Sequence, residues 1–169
     1  KKKKNWLYES LHLRPTLNIN EWKDYGKKIT NFANMMQDFG IKMAFHHHMG
    51  TIIQTDEEID LLMEHTGNSV GLLLDTGHCT FSGGNPKTIA RKYAKRINHV
   101  HCKDLIQYEL NISIQQNTSF MESIHNGIFT VPGDGFINFS DILSILAAQN
   151  YNGWLVVEAE QDPIKAHPL

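Results

Sequence analysis

The sequence predicts an α/β fold built on a parallel sheet. Three observations lead there: short aliphatic runs alternate with helix-like segments, one run is apolar without interruption, and each run ends in a polar cluster. Regular alternation of strand and helix produces βαβ units. A continuous aliphatic run marks a strand covered on both faces, as in parallel sheets.

The elements follow in order. From Glu21 to Phe39, apolar side chains recur at Trp22, Tyr25, Ile29, Phe32, Met36 and Phe39, placing one stripe on a helix that Gly40 is placed to stop. A short strand, Ile41 to Phe45, enters His46-His47-His48. Thr55 and Glu58 form a capping-box pattern ahead of Ile59, Leu62 and Met63. Val70 to Leu74 is the uninterrupted strand, ending in Asp75-Thr76-Gly77-His78. Asn85-Pro86 reads as an N-cap with proline at the first helical position, opening a helix to about Arg96. A third strand, Ile97 to His101, runs into Lys103 and Asp104. The stretch from Leu105 to Asn138 is the least regular, with a short helix expected over Phe120 to His125 and a turn-rich loop from Val131 to Gly135. A last helix, Phe139 to Gln149, precedes a strand from Trp154 to Val157 that ends at Glu158.

Composition narrows the function classes. With 169 residues and 41% hydrophobic content, the chain can bury a sizeable core, although a complete (β/α)8 barrel takes ~250 residues. A formal net charge of -2 gives no general pull towards nucleic acid or anionic membrane, and no apolar run reaches the ~20 residues of a membrane span. Neither class of partner is expected. Lys1 to Lys4 lack an apolar run behind them and read as a solvated end, with residues 1–12 a flexible start. Two cysteines, Cys79 and Cys102, make a disulfide framework unexpected and suit a reducing compartment, so a cytoplasmic location is expected.

The strand ends carry the chemistry. Four successive strands are apolar until their C-terminal ends, where they yield His46 to His48, Asp75 with His78, His101, and Glu158 with Glu160. In parallel barrels those ends form the active-site face. Imidazole and carboxylate together suit a borderline divalent cation: Mn²⁺, Co²⁺, Fe²⁺ or Zn²⁺. Each residue alone has a plainer reading. A strand-end histidine such as His101 can be a simple hydrogen bonder, Asp75 before Thr76-Gly77 can form an Asx turn, and Glu158 can pair with a lysine or arginine. Their order at four consecutive strand ends favours the metal reading. Cys79 and Cys102 sit beside His78 and His101 but lack CxxC spacing and point to the opposite face, so they are read as structural.

Longer strings sharpen the picture. His46-His47-His48-Met49-Gly50-Thr51, Leu74-Asp75-Thr76-Gly77-His78, and His99-Val100-His101 with Lys103-Asp104 closely resemble the inosose dehydratases, a family of xylose-isomerase-like barrels. Gly127 to Gly135 and Gly153 to Pro163 carry the same resemblance, which runs from about Leu13 to Leu169. It implies that the chain is strands five to eight of the barrel, one C-terminal part of a single domain whose first four strands are absent. The implied reaction is loss of water from 2-keto-myo-inositol (scyllo-inosose) to give a trihydroxycyclohexanedione, with Mn²⁺ or Co²⁺, and glutathione is associated with the family. Asp75, His101 and Glu158 match three superfamily ligands. His46 stands where sugar epimerases carry a glutamate, and is taken as the fourth ligand. His47, His78 and Lys103 are then placed to touch substrate. His48, Glu158 and Glu160 remain open as the base, with Lys103 a further catalytic candidate. A polyol ketone is the expected small-molecule partner, and a homo-oligomer or the missing barrel half the expected protein partner. The competing readings are a metal-dependent isomerase or epimerase on the same scaffold, and an inactive fragment that binds only metal or a partner.

Overall fold

A computed structural model describes residues 9–162 and residue 164. Its centre is a four-stranded parallel sheet of β1 (Met43–His46), β2 (Val70–Asp75), β3 (Ile97–Cys102) and β6 (Trp154–Val157), in the order β1-β2-β3-β6. Two further two-residue strands, β4 (Asp104–Leu105) and β5 (Phe129–Thr130), pair antiparallel beside it. The helices are α1 (Trp22–Asp38), α2 (Asp56–His65), α3 (Thr76–Phe81), α4 (Pro86–Tyr93), α5 (Gln107–Gln116), α6 (Phe120–Asn126) and α7 (Phe139–Ala148). No helix among the described residues is long and apolar enough to cross a membrane.

Local chemistry sets most of these boundaries. At α2 the Thr55 side chain accepts from the Glu58 N–H, and the Glu58 carboxylate reaches back to the Thr55 N–H, closing the capping box. Asn85 caps α4 by accepting from the Lys87 and Thr88 N–H groups, with Pro86 at the first helical position. That helix stops at Tyr93, three residues before the expected Arg96. Arg96 is recruited elsewhere: its guanidinium donates to the carbonyls of Met63, Gly67 and Val70 and to Thr66 Oγ1, tying the end of α2 to the start of β2. Residues 1–8, including the lysine tetrad, lie outside the described residues. Ser10, inside the start expected to be flexible, pairs with Ser119, and its hydroxyl donates to the Asn117 carbonyl.

Strand pleating divides the sheet into two faces. Leu72, Leu74, Val100 and Cys102 face α1, α2, α4 and α7, forming the main core with Trp22, Ile59, Leu62, Ile89, Ile142 and Leu146. A smaller core gathers Met49, Phe81, Leu105, Leu110, Phe120, Ile124, Ile128 and Phe129 beneath the β4–β5 pair. The expected stripe on α1 is only partly covered. Trp22 is buried, yet Phe32 is 50% and Phe39 79% exposed. On the far edge, Trp154 and Val157 of β6 are 76% and 65% exposed. Both exposed groups flank the outer strands of the sheet, β1 and β6, which have no further strand beside them among the described residues.

The contact between α1 and α2 is closer than a side chain allows. A Cβ built on Gly26 would lie 2.1 Å from the His65 carbonyl oxygen. Gly26→Ala would gain about 1 kcal/mol of helix propensity, but crowding against rigid backbone costs about 1–3 kcal/mol. Net destabilisation is expected, read as a lower urea midpoint. A midpoint at or above wild type would show that the helices separate at no cost.

Candidate metal centre

Register brings the strand ends together. Asp75 aligns with His101 across β2 and β3, and His101 aligns with Val156, two residues before Glu158. Parallel neighbours lie about 4.8 Å apart, so side chains on the same face meet. One donor atom from each of Asp75, His101 and Glu158 lies within 4.8 Å of the others. His101 Nδ1 is 2.8 Å from Glu158 Oε2 and 3.3 Å from Asp75 Oδ2. His46 Nε2 approaches Asp75 Oδ2 to 3.4 Å. Two further trios meet the same criterion: His46, Asp75 and His78, and His48, His78 and Glu160. No cysteine joins such a group among the described residues; Cys79 and Cys102 are buried and free.

Asp75 is the anchor. Fully buried, it caps α3 by accepting from the His78 N–H at 2.8 Å through Oδ1, leaving Oδ2 towards His101, His46 and Lys103. The Asx-turn reading and the ligand reading of this residue are therefore compatible, since each uses a different oxygen. Burial opposes its ionisation, yet His78, His101, His46 and the Lys103 ammonium hold the carboxyl well below the usual range. Burial holds the His78 imidazole well below its ordinary value.

Lys103 lies 1% exposed at the junction of the clusters. Its Nζ is 2.8 Å from Glu160 Oε2, 3.3 Å from Glu158 Oε2, 3.6 Å from Asp75 Oδ2 and 3.3 Å from His78 Nε2. The ammonium also sits 4.8 Å from the centre of the Phe129 ring. Burial disfavours the charge, but the carboxylates outweigh it and raise its pKa above the ordinary lysine value. Gly77 makes room for the stem: a Cβ there would lie 2.7 Å from Lys103 Cγ. Sequence reasoning singled out Lys103 without foreseeing its burial. The one available signal was Gly77, two residues past a strand end.

The histidines divide by role. His48 is half-buried, and its Nδ1 donates to the Met49 carbonyl at 2.7 Å, leaving Nε2 as the acceptor. Its ring lies 3.8 Å from that of His78 and 5.0 Å from Phe120, and burial lowers its pKa. His47 is fully buried, with Nε2 accepting from the Asp75 N–H at 3.3 Å, and burial depresses its pKa to about 4. His99, unremarked as a site residue, stacks edge-on to His101 with ring centres 5.3 Å apart.

A divalent cation fits these residues on one observation. Among the described residues, His46 Nε2 and Glu158 Oε2 are buried without a hydrogen-bond partner, although each lies within ion-pair range of a neighbour. Each of the two atoms belongs to a donor trio that includes Asp75, His46 with His78 and Glu158 with His101, and each lacks the bonding partner that a cation would supply.

The family model described as xylose isomerase-like TIM barrel matches residues 8–168. The chain belongs to the xylose isomerase-like TIM barrel family. Among curated relatives, the rhizopine catabolism protein MocC of Rhizobium meliloti is 56% identical over 163 residues, 96% of this chain and 50% of that protein. An inosose dehydratase of Clostridium tetani is 48% identical over 157 residues, 92% of this chain and 53% of its own length. The chain thus spans about half the length of the curated relatives it matches. Of solved structures, the IolI protein with a bound zinc atom superposes with a TM-score of 0.65 at 19% identity, covering 88% of this chain and 51% of that one. The probable 3-DHS dehydratase AsbF from Bacillus anthracis gives 0.65 at 17% identity, over 84% and 52%. At these identities the structures show the fold.

Proposed function

We propose that this chain forms the metal-binding half of a hydro-lyase that removes water from a cyclic polyol ketone, 2-keto-myo-inositol. The observation that carries the reading is the convergence of Asp75, His101 and Glu158 within 4.8 Å at the ends of three neighbouring strands. Relatives named inosose dehydratase support the substrate and the reaction. We further assign the four parallel strands to positions five to eight of the barrel. The β1 and β6 edges, unpaired among the described residues, the exposed apolar groups beside them and the half-length match support this assignment.

Asp75, His101 and Glu158, with His46 alongside, would hold Mn²⁺ or Co²⁺. When bound, such an ion supplies Lewis acidity towards the ketone oxygen. The chain supplies the rest. His48 carries its acceptor on Nε2, and its lowered pKa keeps it neutral near pH 7. It takes the proton from the carbon next to the ketone and, as imidazolium, returns it to the departing hydroxyl on the same face, so that water leaves. One base then serves both proton transfers, each worth ~10²–10⁴-fold. Of the other two candidate bases, Glu158 belongs to the ligand set and Glu160 is engaged by Lys103. Lys103 and Glu160 orient substrate hydroxyls, and His78, packed against Phe120 and Phe129, closes the apolar side. His47 supports the end of β2 through the Asp75 N–H rather than meeting substrate.

Dione formation from 2-keto-myo-inositol, followed in the ultraviolet, tests the function. Activity should appear with Mn²⁺ or Co²⁺ and vanish on chelation. Mn²⁺ at 100 times its Kd should stabilise the fold by about 2.7 kcal/mol. A chelator-insensitive rate, or an epimerised ketone as the only product, would overturn the reading.

A further inference from the structure

The second trio, His48, His78 and Glu160, has the composition of a cation site but holds the Lys103 ammonium against it. Resting on the metal-centre reading above, we propose that Lys103 is a tethered cation filling the place of a second metal ion, which limits this centre to one divalent cation.

Charge balance carries the argument. Three carboxylates face the junction: Asp75, Glu158 and Glu160. Ionised, they sum to minus three. One divalent ion and one ammonium bring the group to neutrality. Two divalent ions beside the ammonium would leave two uncompensated positive charges in a largely buried site, which low polarity does not tolerate. Without the ammonium, one ion leaves one negative charge unmatched and two leave one positive charge, half the excess that two ions would leave beside the ammonium, and Nζ no longer engages the second trio.

Geometry agrees with the balance. Lys103 Nζ is 2.8 Å from Glu160 Oε2 and 3.3 Å from His78 Nε2, two of the three groups a second ion would use. His48 Nδ1 is engaged by the Met49 carbonyl, so Nε2 is its available donor. The lysine is also built in rather than incidental. Gly77 clears its stem, Thr76 Oγ1 donates to the Lys103 carbonyl at 2.7 Å and accepts from its N–H at 3.0 Å, and Phe129 faces its ammonium.

Lys103→Met keeps the stem and removes the charge. Full-length protein stripped of metal and titrated with Mn²⁺ alone should bind one ion per chain. The K103M variant should bind two, with spin-coupled Mn²⁺ visible by electron paramagnetic resonance. Adding Glu160→Gln to K103M should return the count to one, and Lys103→Arg should leave it at one. If circular dichroism shows K103M unfolded, Lys103→Gln carries the same expectation of two. A count of one in a folded charge-free variant overturns the proposal, as does a wild-type count of two, and both leave the metal centre standing. A wild-type count of zero removes the metal centre itself.

Discussion

Replacing Asp75 with asparagine is expected to abolish metal binding and lower dehydration by about 10³-fold, while the chain still folds. Asparagine matches the aspartate in size and can keep the Oδ1 acceptor that caps α3 through the His78 N–H. What it removes is the charge on Oδ2, which faces His101, His46 and Lys103. A missing ligand costs more than the 10- to 100-fold typical of groups that merely support ligands, and several kcal/mol of lost Lewis-acid stabilisation amounts to roughly 10³-fold in rate. Stability falls as well. A carboxyl held well below its ordinary pKa stabilises the fold above the unfolded value near 4 and loses that contribution as pH falls through the folded value. Breaking a buried charge pair costs about 3–5 kcal/mol; the lower end applies because Glu160 still pairs with Lys103. At about 2–4 °C per kcal/mol, the melting temperature should drop by roughly 10 °C. Asp75→Ala should melt lower still, because it also loses the cap. An Asp75→Asn protein with native melting temperature and native Mn²⁺ affinity would refute the assignment of this residue.

The convergence of the candidate ligands was legible because parallel strands turn sequence order into spatial order. Asp75 and His101 each end an apolar run, and a shared register sets them side by side. The α2 and α4 starts were legible because caps are local, written within four residues at Thr55–Glu58 and Asn85–Thr88. Where structure depends on partners distant in sequence, reading failed. In α5, Leu110 and Ser113 are buried while Tyr108 and Ile114 are exposed, so no apolar stripe announces a helix. The α3 helix begins inside the polar string after β2 and owes its start to the Asp75 side chain. The β4–β5 pair is only two residues per strand, too short for any alternation to show. On α1 the periodicity was right but the burial was not, since Phe32 and Phe39 lack a covering layer among the described residues. Lys103 and Asp104 read as one polar dipeptide, yet they serve different places: one faces the candidate metal centre and the other gathers a loop.

That loop supplies the second large effect. Asp104 is completely buried, and no ion pair to it is found among the described residues. Its carboxylate instead accepts four backbone N–H groups: Leu105 and Ile137 on Oδ1, Gly133 and Gly135 on Oδ2, at 2.9 to 3.2 Å. An acceptor-only group is required, since every partner is a donor. Asparagine keeps one oxygen and turns the other position into an NH₂, so two amides lose their acceptor and meet a donor. Each bond to a charged group contributes about 1.5–3 kcal/mol, and each buried donor left unpaired costs about 1–3 kcal/mol. Asp104→Asn should therefore destabilise by about 2–4 kcal/mol, despite its near-identical shape. The damage should be local first. Amide exchange should accelerate at Gly133, Gly135 and Ile137, and then at Phe129, whose strand pairs with Asp104–Leu105 and whose ring backs the Lys103 ammonium. Loss of that backing should lower kcat more than Mn²⁺ affinity, because the proposed metal ligands lie on the parallel sheet or just beyond its strand ends, outside the β4–β5 pair. Unchanged protection at the three amides would mean that other contacts hold the loop. A matching loss of Mn²⁺ affinity would mean that the β4–β5 pair and the proposed metal centre form one cooperative unit rather than two.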